Sequence, residues 1–260
     1  VHYPIGLTSH YFTLKKTLVL WVNEGLMTIF FLMIGIDIKY EFIYGTLNTR
    51  KKRLLPLIGA TGGMLIPALI YIAFNKNSVA SIQGWAIPTA TDIAFSIAAL
   101  SIFSKWINPD LKKLLITIAI FDDLGAIIVI ALFYTKEILW LQLVFSLPLI
   151  CLLFFLHKQK IQSISIYFLI SIIIWLLVIK SGIHATLVGI ILALALPITA
   201  NQNTKSPLNN NLSPAIKVRN AIEPFVNYII LPIFAFINSG INLQETHLNA
   251  IISPVSLGII

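Results

Sequence analysis

Two adjacent carboxylates, Asp122 and Asp123, sit near the middle of ITIAIFDDLGAIIVIAL, a run made otherwise of apolar and small residues. Burying an ionised carboxylate is expensive unless something compensates its charge. A structural hydrogen bond would need one polar residue, and two acids double the desolvation cost, so the pair points to a bound cation or bound protons. Successive helical residues point about 100° apart, so one site cannot engage both side chains identically. Ala119, Gly125 and Ala126 flank them and allow another helix to come close. A third acid, Asp92, lies in GWAIPTATDIAFSIA, just after Pro88. Proline removes a backbone donor and kinks or breaks a helix. Thr89 and Thr91 can satisfy the carbonyls so freed, or offer oxygens to a cation. An acid beside a proline-broken membrane span is the trace expected of a discontinuous helix at a transport site. Oxygen ligands without a His or Cys cluster suit a hard cation, sodium first and lithium beside it. Two carboxylates can hold one sodium or two protons but not both loads, which is the property an exchanger needs. Two protons against one sodium would also move charge, so a membrane potential could drive the cycle.

Those acids need elements that hold them in hydrocarbon, and the composition supplies them. Hydrophobic residues make up 58% of the 260 and charged ones only 11%, against about 25% charged in an ordinary soluble domain. The apolar residues fall into eight blocks: roughly 18–36, 54–74, 86–104, 114–134, 139–156, 163–179, 182–199 and 224–241. A ninth starts near 247. Each approaches the roughly 20 residues a helix needs to cross a bilayer. Backbone polar groups must be paired internally in lipid, so the blocks are expected to be helices. The expected fold class is an all-α polytopic membrane protein, with residues 1–260 as a single membrane domain. The stretch 200–217 (ANQNTKSPLNNNLSPAIK) reads as a polar cytoplasmic loop.

The net charge of +8 reports orientation. Of the 18 Lys and Arg, 13 fall in alternate loops, beginning with 37–53, and only three fall in the loops between them. That alternation places the 37–53 loop in the cytoplasm. It offers no clustered basic face, so no nucleic-acid partner is expected. Cys151 is the lone cysteine and excludes an internal disulfide. Residues 1–17 have no apolar core and so no cleavable signal peptide. The first block would insert with its N-terminus outside, which suggests that the natural chain begins upstream of Val1.

The remaining charges are weighed the same way. Asp37, Lys39 and Glu41 share a membrane edge, and Asp110 after Pro109 looks like a helix start. Glu24 is a fourth acid within a block. His184 alone reads as a hydrogen-bonded helix-start residue, although histidines do titrate near neutrality. An intramembrane aspartyl protease needs two acids facing each other from separate helices, which adjacent residues cannot do. A cation channel calls for a symmetric ring of acids or carbonyls, which a single asymmetric site does not supply.

At these residues the chain resembles the NhaA sodium/proton antiporters of bacteria. The resemblance is carried by GWAIPTATDIAFSIAALSIF and IAIFDDLGAIIVIALFYT, then by FFLMIGIDIKYEFIYG, GGMLIPALIYIAFN, KSGIHATLVGII and ILPIFAFINSGINL. It implies a multi-pass inner-membrane transporter with discontinuous helices and inverted repeats. Such a protein exchanges sodium for protons by alternating access, electrogenically and under pH control. Asp122 and Asp123 match the family's paired aspartates, the second as a direct sodium ligand, with Asp92 and Thr91 in the neighbouring broken helix. Glu24 stands where the family more often has Asp. Asp37, Lys39 and Glu41 match a charged cytoplasmic end implicated in pH sensing, Asp37 replacing a usual Glu, and His184 matches a histidine connected with the pH response. Around Arg219 and Glu223 the resemblance weakens and implies no role. The partners implied are sodium, protons, membrane lipid and a second copy in a homodimer; no cofactor is implied. The family's later helices and their membrane lysine have no counterpart here, so the chain is expected to be a fragment or a truncated product.

Overall fold

The computed structural model describes residues 4–9, 12–45, 47, 49–89, 103, 106–133, 139–198, 213–238 and 253–259. They divide into two compact units, Val1–Gly45 with Thr135–Gly240, and Thr46–Tyr134 with Ile241–Ile260. Five helical stretches among the described residues are long and apolar enough to cross a membrane: Leu18–Ile43, Lys52–Asn75, Trp140–Lys158, Ile164–Ser181 and Pro214–Asn238. The protein is thus a helical, multi-pass membrane protein. One addition to the all-α expectation is an N-terminal hairpin, β1 (Pro4–Ser9) and β2 (Phe12–Thr17), paired antiparallel with Pro4 opposite Thr17.

In the first unit β2 runs into a continuous helix. It comprises α1 (Leu18–Trp21), a π-helical turn (Val22–Leu26) and α2 (Met27–Ile43). Residues 37–43 are therefore helical and not part of the loop that their charges suggested. The inward position of Lys39 explains the extension, because an ammonium with partners inside the unit does not end a helix. Further along come α6 (Trp140–Lys158) and α7 (Ile164–Ser181), close to the blocks 139–156 and 163–179.

The block 182–199 departs from expectation. Its helix, α8 (Leu187–Ala195), has only nine residues. Gly182 adopts a left-handed φ of 85° that ends α7, and Pro197 cannot continue a helix beyond α8. After the polar stretch, α9 (Pro214–Phe225), a second π-helical turn (Val226–Ile230) and α10 (Leu231–Asn238) form one span. Pro214 stands at the helix start, so the last four residues of 200–217 are helical; 200–212 lie outside the described residues.

The core of this unit is the seam between α2 and α8, continued by α7. Leu32, Ile36, Ile174, Val188, Leu192, Ala193 and Leu196 are buried in it. Lipid is as apolar as leucine, so helix association there depends on close packing and hydrogen bonds. Small residues provide the closeness. A β-carbon on Gly189 would stand 2.2 Å from the Thr28 carbonyl oxygen, and one on Gly35 would stand 2.7 Å from Ala193 Cβ. Those pairings, with numbers rising together, make α2 and α8 parallel neighbours.

In the second unit α3 (Arg50–Asn75) packs on α5 (Pro109–Phe133), which follows a short helix α4 (Val79–Ile82) and a 3₁₀ turn at Ile87–Thr89. Gly59 meets Ile118, and Gly125 meets Met64. The C-terminal helix α11 (Pro254–Ile259) joins at the end of α3. There Asn75 Nδ2 donates to the Pro254 carbonyl at 2.9 Å, and the Tyr71 hydroxyl donates to the Ser81 carbonyl at 2.8 Å. Leu54, Leu55, Ile66 and Leu69 remain exposed along α3, a surface suited to hydrocarbon.

The glycine contacts set a test of opposite signs. Gly189→Val is expected to drive α8 from α2 and lower stability by about 1–3 kcal/mol, the usual range for overpacking. Gly62→Ala, whose β-carbon would meet nothing within 4 Å, is expected to hold or raise it, since alanine favours the helix. Thermal unfolding in detergent measures both. An unchanged midpoint for Gly189→Val would contradict the close approach.

Candidate cation and proton site

The second unit holds the paired aspartates. Asp122 is 3% exposed on α5, beside the buried Ala119 and one turn from Gly125, where Met64 of α3 packs close. The small residues expected to let a helix approach do so. Asp123 continues the same helix, its side chain lying outside the described residues, as do Thr91 and Asp92. Upstream of them the proline-broken segment begins as a tight turn, Ile87–Thr89. Thr89 is buried and its hydroxyl donates to the Ala86 carbonyl at 2.7 Å. The Ala86 carbonyl also accepts the backbone N–H of Thr89 at 3.2 Å.

The first unit brings together two candidates that lie 160 residues apart. Glu24 Oε1 is 2.9 Å from His184 Nδ1, and Glu24 Oε2 accepts the backbone N–H of Ala185 at 2.6 Å. Both oxygens of the Glu24 carboxyl group are thereby engaged at the start of the following helix. The glutamate side chain is 12% exposed and the histidine 37%. The π-helical turn places Glu24 here, and such turns recur at functional sites. The main-chain carbonyl of Glu24 accepts the Thr28 hydroxyl and, at 2.9 Å, the Trp175 indole N–H. Asn23 and Asn238 exchange side-chain hydrogen bonds beside it, at 3.2 and 3.0 Å. His184 is thus a hydrogen-bonded residue just before a helix, and its partner is an acid.

The charged end of α2 divides by face, with Asp37 and Glu41, four residues apart, on one and Lys39 on another. Residues two apart on a helix do not share a face, and the structure separates them accordingly. Asp37 accepts the Arg219 Nε–H at 3.0 Å, and Arg219 Nη1 donates to Glu223 one turn along α9. Lys39 is buried at 9% exposure, and its ammonium donates to the carbonyls of Leu194 and Leu196, each at 2.6 Å. Glu41 lies on α2 beside Gly45, where a β-carbon would collide with its side chain. Arg219 and Glu223 were assigned no role from sequence. Their four-residue spacing on a helix was the available signal. Nothing local to Trp175 or His157 marked them, because each acts on a distant carbonyl.

Asp122 buried on an apolar helix, a proline-containing turn and an acid–imidazole pair define a multi-pass membrane protein that keeps ionisable groups within its helices. Comparison with known proteins makes the class specific: the family model described as Na+/H+ antiporter 1 matches residues 1–260, and the chain belongs to that family. Among its relatives, the Na(+)/H(+) antiporter NhaA of Pectobacterium carotovorum subsp. carotovorum (strain PC1) is 41% identical over 256 residues, covering 98% of this chain and 63% of the relative. The Na(+)/H(+) antiporter NhaA 2 of Campylobacter jejuni (strain RM1221) is 45% identical over 250 residues, covering 96% and 63%. An NhaA of Vibrio cholerae serotype O1 (strain M66-2) is 43% identical over 239 residues, covering 92% and 61%. The chain spans a little over three-fifths of the length of these curated relatives.

The Glu24–His184 contact is testable as a coupling. A double-mutant cycle of Glu24→Gln and His184→Asn, read by thermal stability in detergent, is expected to give about 1 kcal/mol of interaction energy. Strict additivity would mean that the two side chains do not support each other.

Proposed function

We propose that this protein exchanges sodium, with lithium as an alternative, for protons across the bacterial inner membrane. Alternating access at Asp122, Asp123 and Asp92, with Thr91 as a further oxygen ligand, carries the exchange. The observation behind the reading is Asp122, a carboxylate buried in an otherwise apolar helix of a chain belonging to an antiporter family. A buried carboxylate favours whichever partner removes its charge. Asp123 beside it lets the pair load with one sodium or with two protons, and each load excludes the other. Exchange of two protons for one sodium makes the cycle electrogenic. Regulation by pH through Asp37, Lys39, Glu41 and His184 rests on the resemblance and on the placement of Asp37 and His184 in charged hydrogen bonds. A homodimer, a single functional membrane domain and a cytoplasmic 200–217 loop rest on the resemblance and the charge pattern alone.

Asp123→Asn is expected to abolish sodium-dependent proton movement, read with a pH-sensitive dye in everted membrane vesicles. Retained exchange would overturn the assignment of the pair. Glu41→Gln is expected to displace the pH at which exchange switches on while leaving the maximal rate in place. A lower maximum at an unmoved pH profile would remove Glu41 from the regulatory group.

A further inference from the structure

α8 is a half-helix. Its nine residues rise about 13.5 Å, less than half of the roughly 30 Å of hydrocarbon in a bilayer. Its first N–H and last C=O groups have no partners within the helix, and lipid offers none. The turn before it meets part of the need, since Leu187, Val188 and Gly189 donate to the carbonyls of His184, Ala185 and Thr186. Two further needs are met by charged side chains from one neighbouring helix. Glu24 accepts from Ala185 N at the leading end, and Lys39 donates to the carbonyls of Leu194 and Leu196 at the trailing end.

The signs are those that the helix dipole requires, an anion at the N-terminus and a cation at the C-terminus. They match because α2 and α8 run parallel: Glu24 meets residue 185, Gly189 meets Thr28, Ala193 meets Gly35, and Lys39 meets residues 194 and 196. Fifteen residues separate the acid from the lysine, a rise of about 22 Å, while residues 185 to 196 rise about 16 Å. The flexible stem of Lys39 covers the difference. His157 of α6 completes the trailing end, its Nδ1 2.7 Å from the Ala195 carbonyl.

We propose that Glu24 and Lys39 are a matched pair of end-caps that hold α8 as a half-helix at bilayer depth. They are positioning residues, acting through α8 to seat His184 at its leading end. This assignment stands on contacts within one unit and does not rest on the transport reading.

Hydrogen–deuterium exchange of the full chain in lipid nanodiscs tests it end by end, with residues 164–181 of α7 as internal reference. Lys39→Met is expected to raise exchange in 193–198 by about tenfold or more, the loss of a charge-assisted bond, and to leave 185–188 protected. Glu24→Gln is expected to do the reverse. Lys39→Arg keeps a cationic donor and is expected to restore protection at 193–198. The proposal is overturned if Lys39→Met leaves 193–198 unchanged, or if Lys39→Arg exposes them as fully as Lys39→Met. If Lys39→Met does not accumulate in the membrane, Lys39→Gln and Lys39→Arg decide by the same comparison, the arginine protected and the glutamine exposed.

Discussion

A helix that ends among packed helices leaves carbonyls that only other parts of the protein can satisfy. That constraint organises the first unit. Leu194 and Leu196 offer their carbonyls to Lys39, Ala195 to His157 and Pro197 to the backbone N–H of Ala215. Three separate helices are thereby tied to one break. The same requirement explains why Lys39 points inward from a position where positive charge ordinarily marks a cytoplasmic loop. Desolvating an ammonium is unfavourable, but two carbonyls aligned at a helix C-terminus supply both hydrogen bonds and the negative end of a dipole.

Both units carry charge on their helices. In the first, Glu24, Lys39, Asp37 and Arg219 have named protein partners at hydrogen-bond distance, so their charges serve architecture before anything else. In the second, Asp122 is buried on α5, which packs closely on α3: Met64 of α3 meets Gly125, and Ile118 of α5 meets Gly59.

Much of the fold was legible because the bilayer asks for little. Apolar length is nearly sufficient for a spanning helix, and α6 and α7 fall within a few residues of their blocks. The misreadings share one cause. Where a helix stops depends on which partners its terminal groups find, and those partners lie far off in sequence. The run 182–199 looked like a span because the breaks at Gly182 and Pro197 sit at its margins, leaving too little helix between them. Residues 37–43 looked like loop because Lys39 was counted as a surface charge when its partners are 155 and 157 residues away. The acids of the candidate site were equally visible in the sequence. The pairing of Asp37 with Arg219 was not, since the two lie 182 residues apart and only the Arg219–Glu223 half of that contact has a local spacing.

Glu24 and Asp37, two acids on one continuous helix, differ in length by one carbon, and each length suits its partner. Glu24 must reach a backbone N–H and an imidazole fixed at the start of another helix, and its carboxylate lies 2.6 and 2.9 Å from them. Aspartate on the same backbone would end one carbon–carbon bond, about 1.5 Å, short. The 2.6 Å contact would then open to about 4 Å, beyond a hydrogen bond. Asp37 faces the opposite situation, because its partner Arg219 is long and can extend to meet it at 3.0 Å. The longer acid therefore stands where the partner is rigid, and the shorter one stands where the partner can reach. Side-chain length along this helix follows the mobility of what each carboxylate has to meet.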